Sequence, residues 1–163
     1  MGAVTNIQFV ELVNSLRVSW DNPVESEFCD YTYFLEVTDF NGNSVAYSAI
    51  SNNVTIPNVL LIPCTITRVT VIPIVGRLWG SEATGEHDAE IKEVNNFSVH
   101  SINGNLVAYF DAPSDVQHCN ISYDVRQLSS GCFMQRITVT PVSSTGNRGL
   151  SIFGEEEIGK SLG

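Results

Sequence analysis

The chain has 163 residues, 43% of them hydrophobic and 16% charged, a globular composition long enough for one ordinary domain or two small ones. Its formal net charge of −10 argues against nucleic acid or an anionic membrane as the main partner, because phosphate recognition needs a Lys/Arg footprint. No apolar run reaches the ~18 residues that span a bilayer, so no membrane insertion is expected of these residues. Met1-Gly2-Ala3 is not followed by the basic and apolar segments of a signal peptide, the reading of a mature fragment or of a cytoplasmic protein.

Taken in chain order, the local patterns are those of strands. Leu16, Val18 and Trp20 alternate with Arg17 and Ser19, the period of two of a half-buried strand. Tyr33, Leu35 and Val37 alternate with Phe34 and Glu36, and Gly42 in "FNGN" marks a hairpin turn. The apolar run Val59 to Ile62 is bracketed by Pro57 and Pro63. Val69, Val71 and Pro73 alternate with Arg68, Thr70 and Ile72, and "GRLWGS" brings Arg77 and Trp79 directly after them. The segment Gly85 to Asn96 holds no Gly/Ser/Pro tract and reads as a short hinge.

Beyond it the chain repeats itself. At an offset of 90, Val4 answers Val94, Asn6 answers Asn96, Leu16 answers Leu106, Asp21 answers Asp111, Pro23 answers Pro113, Cys29 answers Cys119 and Tyr33 answers Tyr123, with Phe110 in the place of Trp20. From Cys64 and Cys132 onward the offset is 68, where "CTITRVTVIPI" answers "CFMQRITVTPV". The second copy therefore lacks about 22 residues, equivalent to Asp39 to Leu60. Short strands at turn-separated intervals argue for β-sandwich modules, bounded here at 1–90 and 91–163.

"LRVSWDNP", then Tyr33, then "VTIPNVLLIPCTITRVTVIP" and "GRLWGS", resembles a fibronectin type III domain, with Cys64 where the family's turn carries Gly and Thr67 where it carries its corner tyrosine. The resemblance covers residues 4–88 and extends more weakly over 94–158. It implies an all-β fold of two tandem fibronectin type III-like, immunoglobulin-like β-sandwich modules. In the first, family strands A, B and E face C′, C, F and G. The second lacks about two strands, C′ and E, and its strands C and F follow each other through the Ser129-Ser130-Gly131 turn; an alternative hairpin in the place of E is the other reading.

On that topology Cys29–Cys64 and Cys119–Cys132 lie too far apart to bridge. Three arrangements stay open: an inter-module disulfide between Cys64 and Cys119, free buried thiols, and bridges inside each copy of a distorted fold. His118, Cys119 and Cys132 hold no tight ligand pair, and Asp88 and Glu90 lack a calcium-loop pattern. His87 and His100 read as exposed linker and strand residues. "GEEEIG" from Gly154 reads as a solvated charge run.

No nucleophile elbow, phosphate loop or paired carboxylates appear, so neither an enzyme nor a cofactor is expected. Candidate partner-binding residues are Phe34, Arg68, Ile72, Arg77 and Trp79 in the first copy, and Val107 and Tyr109 in the second; Arg68 is expected to stack on Trp79 if that ring turns onto this face, and the other reading packs Trp79 on its own module. "WGSE" resembles one half of the Trp-Ser-x-Trp-Ser box of cytokine receptors and lacks its second Trp. Sequons at Asn53, Asn96 and Asn120, no more than chance supplies, permit glycosylation. The expected role is a non-enzymatic protein–protein interaction module of an extracellular or cell-surface adhesion or receptor protein, meeting a protein partner or itself. The alternatives are an intracellular structural array with reduced thiols and an accessory domain of a larger enzyme.

Overall fold

The computed structural model describes residues 1–24, 29–129, 131 and 133–157, which contain thirteen β-strands and no helix. The chain divides into two compact units: Met1–Leu61 with Thr65–Ala89, and Ile62–Cys64 with the residues from Glu90 onward.

The first unit is a two-sheet sandwich. One sheet has the order β1-β2-β5, with β1 at Thr5–Leu12, β2 at Ser15–Asp21 and β5 at Asn53–Pro57. The other runs β4-β3-β6-β7, with β4 at Ser44–Ala49, β3 at Thr32–Thr38, β6 at Ile66–Val75 and β7 at Leu78–Trp79; β8, Ala83–Asp88, also pairs with β6. These are the family strands A, B and E against C′, C, F and G, the last split into β7 and β8. The alternation read from the sequence decides which side chains go in. Leu16, Val18 and Trp20 of β2, Tyr33, Leu35 and Val37 of β3, and Val69 and Val71 of β6 form one buried cluster. Each such aliphatic side chain contributes about 1.5–3 kcal/mol by leaving water.

The second unit contains β9 (Asn95–Ile102), β10 (Asn105–Asp111), β11 (Ile121–Ser129), β12 (Met134–Ser143) and β13 (Ile152–Glu157). β9 pairs with β10, and β11-β12-β13 form the second sheet. Asn103 and Gly104 have φ of 52° and 79°, the paired positive values of the Asn-Gly hairpin turn that joins β9 to β10. Val94, Leu106, Ile137 and Val139 make its buried core, flanked by Phe97, Val99, Ala108, Phe110 and Ile152. β11 pairs directly with β12 from Ile121–Ser143 to Ser129–Gln135, so strands C and F of this copy form a hairpin. Among the described residues no strand stands where C′ and E would be. Ser130 of the connecting turn lies outside the described residues.

The repeat is visible in contacts as well as letters. Trp20 meets Tyr33 edge-on at 5.0 Å and Phe110 meets Tyr123 edge-on at 4.9 Å. Asn6 and Asn96 both adopt positive φ, 54° and 52°, and each donates its amide to the equivalent aspartate, Asp21 or Asp111. Arg68 pairs with Glu86, and Arg136 with Glu155, at 2.7 and 2.6 Å. Gly85 of β8 and Gly154 of β13 admit the side chains of β1 and β9: an added Cβ would lie 2.8 Å from Ile7 Cγ2 and 2.5 Å from Val99 Cγ2. Only a residue without Cβ allows that approach.

Three expectations need correction. The segment expected to be a hinge from Gly85 begins inside a strand, because β8 extends to Asp88 in register with β6. His87 accordingly is not an exposed linker residue: its ring lies 5.3 Å from Phe9, and its Nε2 is 3.3 Å from Glu11 Oε1. "GEEE" at 154–157 is not a solvated tail but four of the six residues of β13, with Gly154 and Glu156 turned inward and Glu155 and Glu157 exposed; Ile158 onward lies outside the described residues.

Candidate partner-binding face

Strand pairing gathers an apolar cluster on the outward side of the first unit's larger sheet. Phe34 of β3 lies opposite Ile72 of β6, and Ile74, two residues on, lies opposite Trp79 of β7. The Phe34 and Trp79 rings are 5.7 Å apart, so they touch across β6. Trp79 remains 59% exposed, and Leu78 and Arg77 beside it are exposed. The indole is thus held in place on one side and open on the other. Ile74 was missed in the sequence; its outward phase on β6, two residues after Ile72, carried the signal.

Arg68 does not join this cluster. It sits near the start of β6, six residues from the Ile74 that faces Trp79, or ~20 Å along an extended strand. Its guanidinium makes two hydrogen bonds to Glu86 Oε1 instead. The expected stacking of Arg68 on Trp79 is therefore corrected, and the outward polar half of this sheet carries Arg68–Glu86 and Thr70–Thr84.

In the second unit, Val107 and Tyr109 point outward from β10, Val107 half-buried and Tyr109 exposed. Tyr109 packs beside His100 at 5.7 Å. The three sequon residues Asn53, Asn96 and Asn120 are exposed, although the Asn96 amide is engaged by Asp111 at 2.7 Å.

Cys64 and Cys119 are joined by a disulfide, with Cα atoms 5.3 Å apart. Residues Ile62–Cys64 group with the second unit. Cys64 has φ of 65°, in the left-handed region that disfavours any residue with a Cβ. Cys29 is a free, exposed thiol, and Cys132 lies outside the described residues. With Cys119 in a disulfide, a His118–Cys119–Cys132 metal set loses a ligand. The Glu90 carboxylate is held by Lys92 at 2.8 Å.

Burial pushes the Tyr33 phenol above its usual range; its hydroxyl donates to Asn22 Oδ1. On β11, Arg148 and then Arg126 hold the Asp124 carboxyl below the ordinary aspartate range.

This geometry defines a tandem of fibronectin type III-like β-sandwich modules, the second abbreviated. Among solved structures the chain is similar to a two-domain fibronectin type III segment of chicken tenascin, with TM-score 0.53 and 13% identity, over 94% of this chain and 98% of that one. It is also similar to the alpha chain of the chicken interferon gamma receptor, with TM-score 0.52 and 9% identity, over 95% and 97%. At such identities the likeness shows the fold. No protein-family model and no curated protein matches the chain.

Proposed function

We propose that the chain is a non-enzymatic protein-interaction segment of an extracellular or cell-surface protein of the adhesion or receptor kind. The observation that carries the reading is Trp79, braced by Phe34 yet open to solvent on an otherwise orderly sheet face. An aromatic ring fixed on one face and open on the other suits an interface, where such side chains dominate binding energy. The Cys64–Cys119 disulfide supports the extracellular setting over an intracellular array with reduced thiols, because such bonds persist in oxidising compartments. The tenascin and receptor neighbours support the same reading at the level of fold.

The test is binding of the labelled, disulfide-intact chain to an array of secreted and cell-surface proteins. Trp79→Ala is expected to weaken the leading interaction by a factor of about thirty or more, equivalent to the ~2 kcal/mol of an interface anchor. An array with no interacting protein, or a Trp79→Ala chain that binds like the parent, would overturn the assignment.

A further inference from the structure

The second unit lacks the strands that in the first cover one side of both sheets. In the first unit β5 pairs with β2 and β4 pairs with β3, and the two close the same side of the sandwich. Among the described residues β10 pairs only with β9, and β11 only with β12. The consequence is readable in matched positions. Tyr33 is 2% exposed and its counterpart Tyr123 is 37%; Leu35 is 0% exposed and its counterpart Val125 is 52%. Two strand edges and the inner side chains between them are open together.

We propose that a second copy of this chain occupies that side, through a two-fold axis perpendicular to the sheets. This deepens the reading of the chain as an interaction segment. An antiparallel strand pair has such an axis, and it keeps each side chain on its own face. β11 spans nine residues, Ile121–Ser129, so full overlap with its own copy centres on Val125. In that register Asp124 lies opposite Arg126 of the second copy, and Arg126 opposite its Asp124. Directly opposed residues of opposite charge stabilise a strand pair, and like charges destabilise it. The neighbouring registers that preserve the faces place either Asp124 opposite Asp124 or Arg126 opposite Arg126. The register of greatest overlap is thus the one that charge also selects.

The same axis serves the other sheet. Phe110 of β10 packs on Tyr123 of β11. That contact lies one residue before the end of β10 and two after the start of β11, so the strands lead away from it in opposite chain directions, and stepping two residues along each brings Ala108 towards Val125. Ala108 is the midpoint of β10, Asn105–Asp111. A two-fold through Val125 therefore also centres β10 on its copy, with Val107 opposite Tyr109 of the second copy. Both open edges close at once, into a six-stranded and a four-stranded sheet, which removes the exposed edges that otherwise invite uncontrolled pairing.

The experiment is sedimentation of the full chain over a range of concentrations. A reversible dimer is expected. Arg126→Asp, which sets Asp opposite Asp twice, is expected to weaken it at least about tenfold; adding Asp124→Arg to the same chain is expected to restore it. In a Cys29→Ser, Cys132→Ser background, Val125→Cys is expected to yield a chain-to-chain disulfide under mild oxidation, since opposed residues in an antiparallel pair fall within bridging distance. A parent that stays monomeric overturns the proposal. So does a dimer indifferent to Arg126→Asp, or one that Val125→Cys does not cross-link. Far-UV circular dichroism confirms that each variant folds. A monomer that still binds a different protein through Trp79 would leave the interaction-segment reading standing and sink this one alone.

Discussion

Replacing Trp20 by Ala tests the sandwich assignment of the first unit at a buried aromatic pair. The indole is 3% exposed and meets Tyr33 edge-on at 5.0 Å. A tryptophan buries up to about 250 Å², which at roughly 25 cal/mol per Å² is about 5–6 kcal/mol against an extended reference chain. The edge-on pair adds about 0.5–1.5 kcal/mol. Alanine keeps its own Cβ, and a compact unfolded ensemble already shields part of the ring, both of which reduce the figure. The expected loss is therefore about 3–5 kcal/mol, the observed range for large buried aromatics. Urea unfolding followed by far-UV circular dichroism measures it; fluorescence does not suffice, because only Trp79 remains as an indole. Phe110→Ala, at the equivalent but half-buried position, is expected to cost about half as much. A Trp20→Ala midpoint within about 0.5 kcal/mol of the parent would refute both the assignment and the equivalence built on it.

Cys64→Ser removes a crosslink that spans 55 residues and is expected to cost up to about 4 kcal/mol by loop entropy, read as a lower unfolding midpoint that the parent matches only when reduced. Cys64→Gly loses the same bridge but fits φ of 65° without strain, so it is expected to be about 1 kcal/mol more stable than Cys64→Ser in the same assay. Gly154→Ala forces a Cβ to 2.5 Å from Val99 Cγ2 and is expected to destabilise the second unit by about 1–3 kcal/mol; unchanged hydrogen-exchange protection in β9 and β13 would contradict that packing. The Asp124 carboxyl, held low by Arg148 and Arg126, has a folded-state pKa below its unfolded value, so its contribution is present above the unfolded pKa and is lost as pH falls through the folded one. Its carboxyl titration by NMR is expected to shift upward in Arg148→Ala, and an unmoved midpoint would remove the ion pair from the account.

What the sequence made legible was whatever two copies had to share. Trp20 and Tyr33, with Phe110 and Tyr123, kept their spacing because each pair must meet across the two sheets. Asn6 and Asn96 kept theirs because a positive φ favours Asn and because each has an aspartate to bind. Less legible were relations that join distant strands on one face. Neither the pairing of Arg68 with Glu86 nor the meeting of Phe34 with Trp79 follows from local period. Both depend on register, which one residue of slip would reverse. Composition misled at 154–157, where three glutamates in a row suggested solvent. Glu155 is instead neutralised by Arg136 across the ladder, and Gly154 beside it gives room to Phe97 and Val99.

The abbreviated copy is better understood as adjusted than as broken. Where Val18 faces a closed core in the first unit, the second has Ala108; where Val37 does, it has Gln127. At these positions next to the absent strands, large apolar groups have been exchanged for small or polar ones, which lowers the cost of leaving them uncovered. Phe110 and Tyr123 keep their size because each shields the other without help from a strand C′ or E. Val125 is the exception. It keeps an apolar side chain at the middle of an open edge, flanked by Asp124 and Arg126, where a polar residue would have been the simpler choice for a surface facing water. A valine between two opposite charges, at the midpoint of its strand, presents to a two-fold copy of itself the charge pattern that the proposed register pairs, and neither neighbour alone would select that register.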